Sequence, residues 1–379
     1  MNTILLHRCV PRYREALFEA LYAEFGWTVV AASNFPAPRG FAVVRGERPW
    51  LRRVPFVFPD PGNLYRADVP VRKILEETEA VHVIAELSAR MSSSWSLPRA
   101  VRRRRGRLIF WGHGLNLNRG FGARSWPSQA ARVFCAYRAS ASITYSERGS
   151  RYLRCFPGLG PVFTVRNGLG VSRARLPPPP PFGRRERGTM VTIGRLTAEK
   201  RVHVLIDALK LARRTLPFLR LWIVGDGPER ARLEERAGDD DSIRFFGAIH
   251  DESRIGEILQ AADLAVFGGA VGLSVNHVLQ YGLPVVAFAR GRHGPGHGPE
   301  VDYVIEGKTG RLVSPADAGS MAEAWESVYA KGKRPAEESL ESIREFVETH
   351  LTLESMLEDF ARVYAFLCRA RSATREGGA

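Results

Sequence analysis

Two cations, Arg195 and Lys200, stand at a point in the sequence where an anion could bind. They lie in the segment VTIGRLTAEKR at residues 191–201, after a predicted strand and just before a predicted helix. The free N–H groups at a helix start carry partial positive charge, so two cations there form an anion site that suits a diphosphate. A solvated pair of cations at a helix start is the alternative that this segment alone leaves open.

A second segment, FGGAVGLSVNHVLQYGLPVVAF at residues 267–288, reads as a strand, a glycine-containing loop, a helix and a buried strand. The predicted helix starts near Ser274, so its first amides would point at a ligand beyond the strand end. These amides belong to Gly272, Leu273 and Ser274. Asn276 and His277 follow in the first turns of the helix, where polar side chains can reach a bound ligand.

Two further strand ends carry turn signals. Residues 225–228, GDGP, form a tight turn into a helix with proline at its first position, which indicates a structural role. The segment RFFGAIH at residues 244–250 ends another strand at a glycine. The backbone that follows, near Ile249, is placed to read the edge of a nucleobase.

The first half of the chain carries one histidine at a predicted strand end. The strand Leu108–Trp111 runs into Gly112-His113-Gly114. A lone histidine is more often structural. Two flanking glycines at the carboxyl end of a strand nevertheless favour a role for His113 in a ligand cleft.

Short apolar runs alternate with helical patterns through both halves, which predicts βαβ units and parallel sheets. The predicted strands are Thr3–Leu6, Trp27–Ala31, Val81–Ala85, Leu108–Trp111, Ala141–Tyr145 and Val162–Val165, then Met190–Ile193, Leu219–Val224, Ile243–Phe246, Leu264–Phe267 and Pro284–Phe288. Ligands of such sheets bind beyond the carboxyl ends of the strands, so two halves facing each other would form a cleft.

The composition divides the chain into four segments. Residues 1–171 are predicted to form the first Rossmann-like domain. Residues 172–188 hold five consecutive prolines and several arginines, which indicates an extended linker. Residues 189–350 are predicted to form the second Rossmann-like domain. Residues 351–379 are predicted to form a C-terminal helix that packs back on the first domain.

The ordered motifs of the second half resemble those of the retaining glycosyltransferases of the GT-B fold, glycosyltransferase family 4-like. That family carries GRL…EK, GDGP and E-G-F-G-L-x-x-x-E-A-x-x-x-G-x-P-V; the resemblance covers about residues 160–315 well and the first half more loosely. It implies two doubly wound α/β domains facing a cleft, with a helical tail. By the same resemblance, the domain at 1–171 would lie on the acceptor side and the domain at 189–350 would bind the nucleotide sugar. The resemblance implies that Arg195 and Lys200 grip the diphosphate of the donor.

The same resemblance assigns the other site residues. The amides of Gly272, Leu273 and Ser274 would bind the distal phosphate, and the backbone near Ile249 would meet the base. His113 would lie close to the transferred sugar as the catalytic histidine. Arg14, in PRYREALFEAL, would face the acceptor or a phosphate, and Glu300 matches an acid after the next cleft loop.

The chain departs from the family at both of its glutamates. The first, which contacts the sugar, is Gly269 here, and the second, which contacts the ribose, is His277. A histidine can hydrogen-bond a ribose hydroxyl, so His277 is a workable substitute, with Asn276 beside it on the nucleoside side. Gly269 offers no side chain, so the loop with His293 and His297 is the candidate source of the missing sugar contact.

Charge is the unusual feature of the composition, with a net charge of +15 and a sequence pI near 10.2. The run Arg102–Arg107 suits an anionic membrane or anionic substrates, or is a solvated helix end. Since no aromatic residues interleave it, a nucleic-acid partner is not expected.

Four scattered cysteines indicate free thiols in a cytosol. The sequence predicts a cytoplasmic protein, with a peripheral position on the inner face of the membrane left open.

The predicted reaction is transfer of a sugar, with retention, from a nucleoside-diphosphate sugar to a glycan or lipid-linked acceptor. No cofactor or metal is expected, because Asp239-Asp240-Asp241 reads as a solvated turn and cations would neutralise the leaving diphosphate. Two alternatives stay open. One is a sugar-nucleotide epimerase of the same architecture, and the other is a non-catalytic basic protein with a vestigial cleft.

Overall fold

The structure is a computed structural model that describes most of the chain. The described residues are 2–37, 42–60, 63, 66–114, 126–178, 187–291, 295–330 and 335–369. The chain forms two compact units. Unit 1 comprises Met1–Val171 and Thr352–Ala379, and unit 2 comprises Ser172–Leu351. Residues 179–186 of the predicted linker lie outside the described residues, and so does His293.

Unit 1 holds a seven-stranded sheet with helices in the connections. Its strands are β1 (Thr3–His7), β2 (Thr28–Ala32), β3 (Leu51–Val54), β4 (His82–Glu86), β5 (Leu108–Gly112), β6 (Ala141–Thr144) and β7 (Val162–Thr164). Its first five helices are α1 (Glu15–Phe25), α2 (Val71–Thr78), α3 (Ser93–Arg103), α4 (Trp126–Tyr137) and α5 (Glu147–Arg154). The order is β3-β2-β1-β4-β5-β6-β7, and all neighbours are parallel.

The strand β3 is absent from the sequence predictions for a physical reason. Leu51 and Val54 are buried, whereas Arg52 and Arg53 are exposed, because β3 is an edge strand of the sheet. The central strands β1 and β5 are buried along their whole length and read as apolar runs. A four-residue strand with two charges gives no comparable signal.

Unit 2 repeats this architecture with six strands. They are β8 (Thr189–Ile193), β9 (Arg220–Val224), β10 (Ile243–Gly247), β11 (Leu264–Phe267), β12 (Val285–Phe288) and β13 (Gly310–Val313). Its helices are α6 (Val202–Ala212), α7 (Arg230–Ala237), α8 (Glu252–Ala261), α9 (Ser274–Gln280), α10 (Ala318–Tyr329) and α11 (Pro335–His350). The parallel order β10-β9-β8-β11-β12-β13 is that of a doubly wound Rossmann sheet.

The sheet of unit 2 lies between two apolar layers. Since side chains alternate along a strand, Val266 and Val286 pack with α6 and α10, whereas Ala265 and Val285 pack with α8, α9 and α11. The predicted fold class, two doubly wound α/β units with a helical tail, is therefore confirmed.

The last helix, α12 (Leu353–Cys368), belongs to unit 1 and begins at the Thr352 N-cap. Its inner face packs on α1, with Phe360 edge-on to the Trp27 ring at 5.9 Å. Near its end, the Phe366 ring lies under the Arg107 guanidinium at 4.2 Å. Arg107 is thus held by α12, and the exposed part of the arginine run is Arg102–Arg105.

Each sheet has one topological switch point, between β1 and β4 in unit 1 and between β8 and β11 in unit 2. At such a point the crossover connections leave in opposite directions, so a crevice opens beyond the carboxyl ends of the two strands. Among the described residues, no helix is long and apolar enough to cross a membrane.

Candidate functional site

The switch point of unit 2 brings together the two segments that the sequence singled out. The loop after β8 carries Arg195 and Lys200, and the loop after β11 carries Gly269 and Ala270. These four residues line one hollow of the surface. Residues 195 and 269 are 74 positions apart in the chain, so the parallel pairing of β8 with β11 creates this juxtaposition.

Lys200 joins the two loops. Its Nζ donates a hydrogen bond to the Ala270 carbonyl oxygen at 2.6 Å, and the Ala270 amide donates to the Glu199 carbonyl at 2.9 Å. Burial lowers the pKa of Lys200, while Glu199 and Glu300 oppose that shift. An ammonium has three donors, and Ala270 takes one, so Lys200 keeps donors for an anion.

The GDGP turn supports the loop that presents Arg195, whose side chain is exposed. The Leu196 amide donates to the Asp226 carbonyl at 2.9 Å. A Cβ atom on Gly225 would lie 1.9 Å from the Gly194 carbonyl oxygen, so only glycine permits this approach. The turn therefore places Arg195 without contributing a side chain of its own.

Gly269 is also fixed by a close backbone approach. A Cβ atom there would lie 2.2 Å from the Glu199 carbonyl oxygen and 2.4 Å from the Lys200 carbonyl carbon. The glycine found where the family has its sugar-contacting glutamate thus belongs to the packing of the Lys200 loop.

His297 does not supply the missing sugar contact. Its side chain is buried, and its Nδ1 accepts a hydrogen bond from the Val271 amide at 3.2 Å. Burial, with a smaller contribution from Arg290, lowers its pKa to about 4, so the ring is neutral at pH 7. A neutral His297 holds the loop that leads into α9.

Glu300 lies inside the same region and is 3% exposed. One of its carboxylate oxygens packs against Gly298, whose amide donates to the Val271 carbonyl at 2.8 Å. Its charge raises the pKa of Lys200 against the effect of burial. The structure therefore relates Glu300 to Lys200 electrostatically.

The start of α9 lies as the sequence predicts, with Gly272, Leu273 and Ser274 half-buried. The first amides of a helix lack an intrahelical acceptor, so they are available to an anion. Asn276 does not share this exposure, because it is 0% exposed on the inner face of the helix. Its assignment to the nucleoside is withdrawn, since a buried side chain cannot meet a ligand from solvent.

His277 lies on the outer face of α9 beside a carboxylate that the sequence reasoning missed. Its Nε2 lies 2.7 Å from Oε1 of Glu252, the first residue of α8, and the Tyr281 hydroxyl donates to the same oxygen at 3.1 Å. Hydrogen bonding to His277 is the largest cause that lowers the pKa of Glu252. The sequence did carry a signal for Glu252, because it is an acidic residue at the start of the helix that follows Ile249. Ile249 itself is half-buried and packs against the core.

The switch point of unit 1 also gathers charged groups. Arg8, after β1, forms an ion pair with Glu86, the last residue of β4. Burial alone would raise the pKa of Glu86, but Arg8, with His7 and Arg14, lowers it to about 2. Burial lowers the pKa of His7 to about 3, with a further contribution from Arg14.

Arg14 is buried under aromatic rings at this switch point. Its guanidinium lies 4.7 Å from the Trp111 ring centroid and 5.1 Å from that of Tyr145, and it donates to Asn167 at 3.3 Å. The Tyr145 ring in turn contacts the exposed His113 ring at 5.0 Å. Arg14 therefore positions the Tyr145 ring on which His113 packs.

No group of three or more side chains that could hold a metal ion is found in the part of the chain that the structure describes. What the described residues provide is a cationic edge in unit 2 and an exposed histidine beside a buried ion-pair network in unit 1.

This fold defines a class, the proteins with two doubly wound Rossmann-like units, and in this chain the second unit carries a cationic edge. Residues 187–331 match the family model described as glycosyl transferases group 1. A glycogen synthase of Mycobacterium tuberculosis is 32% identical over 182 residues, 45% of this chain and 41% of that protein. The chain thus spans about two fifths of the length of this curated relative.

Two further likenesses extend over more of the chain. The GDP-mannose-dependent alpha-(1-6)-phosphatidylinositol dimannoside mannosyltransferase of M. tuberculosis is 30% identical over 240 residues, 59% of this chain and 61% of that protein. HepE of Anabaena, solved with UDP, superposes with a TM-score of 0.67 at 17% identity, over 97% of this chain and 100% of that chain. At this identity the likeness to HepE shows the fold.

Proposed function

We propose that this chain is a glycosyltransferase that moves a sugar from a nucleoside-diphosphate sugar to a glycan, glycolipid or other acceptor. The observation that carries the proposal is the hydrogen bond of Lys200 to Ala270 beside the exposed Arg195, at the switch point of unit 2. The match of residues 187–331 to the glycosyl transferases group 1 supports it.

Unit 2 binds the donor in this proposal. Arg195 and Lys200 neutralise the diphosphate, and the first amides of α9 bind its distal phosphate. Those amides belong to Gly272, Leu273 and Ser274. The backbone near Ile249 meets the base. His277 with Glu252 binds the ribose hydroxyls, because an imidazole and a carboxylate can each accept a hydrogen bond from a hydroxyl.

The chemical step follows from the same charges. As the glycosidic bond to the diphosphate breaks, negative charge grows on the leaving oxygen, and the preorganised cations stabilise it without a metal. The acceptor oxygen bonds to the anomeric carbon on the face that the diphosphate leaves, and its proton passes to the leaving phosphate, so the anomeric configuration is retained. His113 stabilises the sugar ring as positive charge develops, and Glu300, with Glu199, opposes the lowering of the Lys200 pKa by burial.

A thermal-shift screen with nucleoside diphosphates tests the proposal, because a ligand that binds the native state raises the unfolding temperature. We expect one diphosphate to stabilise the protein. Arg195→Ala and Lys200→Ala should each weaken its binding by about 1.5–3 kcal/mol, the range for a hydrogen bond to a charged group. Arg214→Ala, at an exposed arginine of unit 2, is the matched control.

The outcomes separate the alternative functions. Unchanged affinity in both variants would refute the diphosphate site, and stabilisation by no nucleotide would indicate a vestigial protein. Conversion of a nucleotide sugar into its epimer, without transfer to an acceptor, would replace the transferase by an epimerase.

A further inference from the structure

The positive charge of the chain is concentrated in one stretch of unit 1. Residues 87–146 contain eleven arginines, no lysine and no acidic residue, and so account for +11 of the net charge of +15. This stretch includes α3, β5, α4 and β6. Because β5 and β6 are buried, the charge of the described residues lies on the helices and their ends.

The same two helices carry most of the exposed large apolar side chains. The described residues include seven such side chains, and four of them lie on α3 and α4: Trp95, Trp126, Phe134 and Tyr137. Their exposed fractions are 47%, 69%, 49% and 46%. Exposed aromatic residues that cluster, as opposed to single ones, mark an interaction surface.

Aromatic and basic residues share the outer rows of both helices. On α3, Trp95, Arg99 and Arg103 follow at intervals of four residues, and all three are exposed. Phe134 lies on α4 and Arg138 directly follows its last residue, and the Arg138 guanidinium lies 5.5 Å from the Phe134 ring centroid. Residues spaced by four lie on one face of a helix.

The two rows form one continuous surface. The Trp95 ring lies 6.0 Å from the Phe134 ring, so α3 and α4 touch through their exposed aromatic residues. Both helices connect strands that advance in the same direction, β4 to β5 to β6, and right-handed crossovers place them on the same side of the sheet. We call this surface the α3–α4 face.

We propose that the α3–α4 face docks unit 1 on the surface of an anionic lipid bilayer. Aromatic rings with a polar edge settle at the boundary between headgroups and acyl chains, while neighbouring arginines attract anionic headgroups. A stretch without any carboxylate meets no repulsion from such a surface. The proposal is independent of the sugar-transfer reaction.

The arrangement of the aromatic residues favours a bilayer over a nucleic acid. Single-stranded nucleic acids bind in a basic groove and stack their bases on open aromatic faces. Here Trp95 and Phe134 cover each other with their planes 31° apart, and they stand on the outer rows of two helices. An outward-facing surface of this kind matches a membrane interface.

Sedimentation of the full chain with vesicles tests the proposal. We expect binding to vesicles of phosphatidylcholine with about one third phosphatidylglycerol, none to phosphatidylcholine alone, and release by high salt, since salt screens exposed charges. Trp95→Ser with Phe134→Ser, and separately the triple change Arg99→Gln, Arg102→Gln and Arg103→Gln, should each weaken binding about tenfold or more.

A triple variant of equal net charge is the control. Arg72→Gln, Arg214→Gln and Arg232→Gln remove three exposed arginines elsewhere and should leave vesicle binding unchanged. Equal losses in the two triple variants, or no binding to anionic vesicles, would overturn the proposal. Binding of a single-stranded RNA without vesicle binding would assign the α3–α4 face to nucleic acid and likewise overturn it.

Discussion

His277 and Glu252 form a pair in which the imidazole Nε2 lies 2.7 Å from the carboxylate Oε1. The two residues come from different helices, α9 and α8. His277 stands where the resemblance expects a ribose-binding glutamate, and the carboxylate of Glu252 lies next to it. A carboxylate therefore lies beside the histidine that replaces the family's acid.

This pair predicts a defined loss of nucleotide affinity. Glu252→Gln should weaken nucleoside-diphosphate binding about tenfold, because a carboxylate that accepts from a ribose hydroxyl is replaced by a neutral amide. His277→Ala should have a similar effect, and the double variant should lose less than the sum, because the two groups are in contact. Calorimetric titration measures all three.

Glu257→Gln is the control for this experiment, because Glu257 lies on α8 and pairs with Arg254 at the surface. If Glu252→Gln binds the nucleotide as well as Glu257→Gln does, the pair has no part in the ribose site.

A second prediction concerns two glycines of one loop. Gly269→Ala should destabilise unit 2 by about 1–3 kcal/mol and weaken nucleotide binding, because its Cβ would overlap the backbone of the Lys200 loop. Gly272→Ala should be tolerated, since no atom lies within 4 Å of its Cβ position. Urea unfolding and thermal shift with a nucleoside diphosphate measure both; equal stability of the two variants would contradict the expected overlap.

A third prediction separates turnover from binding. His113→Ala should reduce kcat and kcat/KM together while nucleoside-diphosphate affinity stays nearly intact, as for an interaction made mainly in the transition state. His277→Ala should instead weaken the binding of donor and nucleoside diphosphate alike. Steady-state kinetics and titration of both variants measure this difference; the reverse pattern would show that the two roles are wrongly assigned.

A fourth prediction concerns the pH dependence of stability through His7. Its folded pKa of about 3 lies below the ordinary value of 6.5, so between these values the unfolded chain binds a proton that the native protein does not. Stability should therefore fall as the pH drops through this window, by up to about 1.4 kcal/mol per pH unit for one proton, and should be unaffected above it.

His7→Gln should reduce the loss of stability between pH 6.5 and pH 5, as measured by urea unfolding at each pH. Glu86 does not contribute in this range, because its pKa falls from 4.5 to about 2 and its effect appears only in more acidic solution. His250→Gln, at an exposed histidine of unit 2, should retain the wild-type pH dependence. A His7→Gln variant with the wild-type slope would show that His7 is protonated in the native protein.

Much of the fold follows from local patterns in the sequence. Leu264–Phe267 forms the predicted strand without any change of bounds, and the strand predicted at Met190–Ile193 begins one residue earlier. Buried parallel strands are apolar along their length, so they stand out. Two of the four edge strands, β3 and β13, were missed, because each has only four residues and includes arginine, so neither gives a continuous apolar run.

The sequence by itself determined the two Rossmann-like units and the loop segments that carry Arg195, Lys200 and His113, because periodicity and glycine positions are local properties. Only the tertiary structure decided which side chains meet. It buried Asn276 and brought Glu252 to His277. It also placed Trp95 against Phe134, near an arginine run that contains no aromatic residue in the sequence. These contacts join distant parts of the chain through sheet order and helix packing, and no local pattern of residues encodes them.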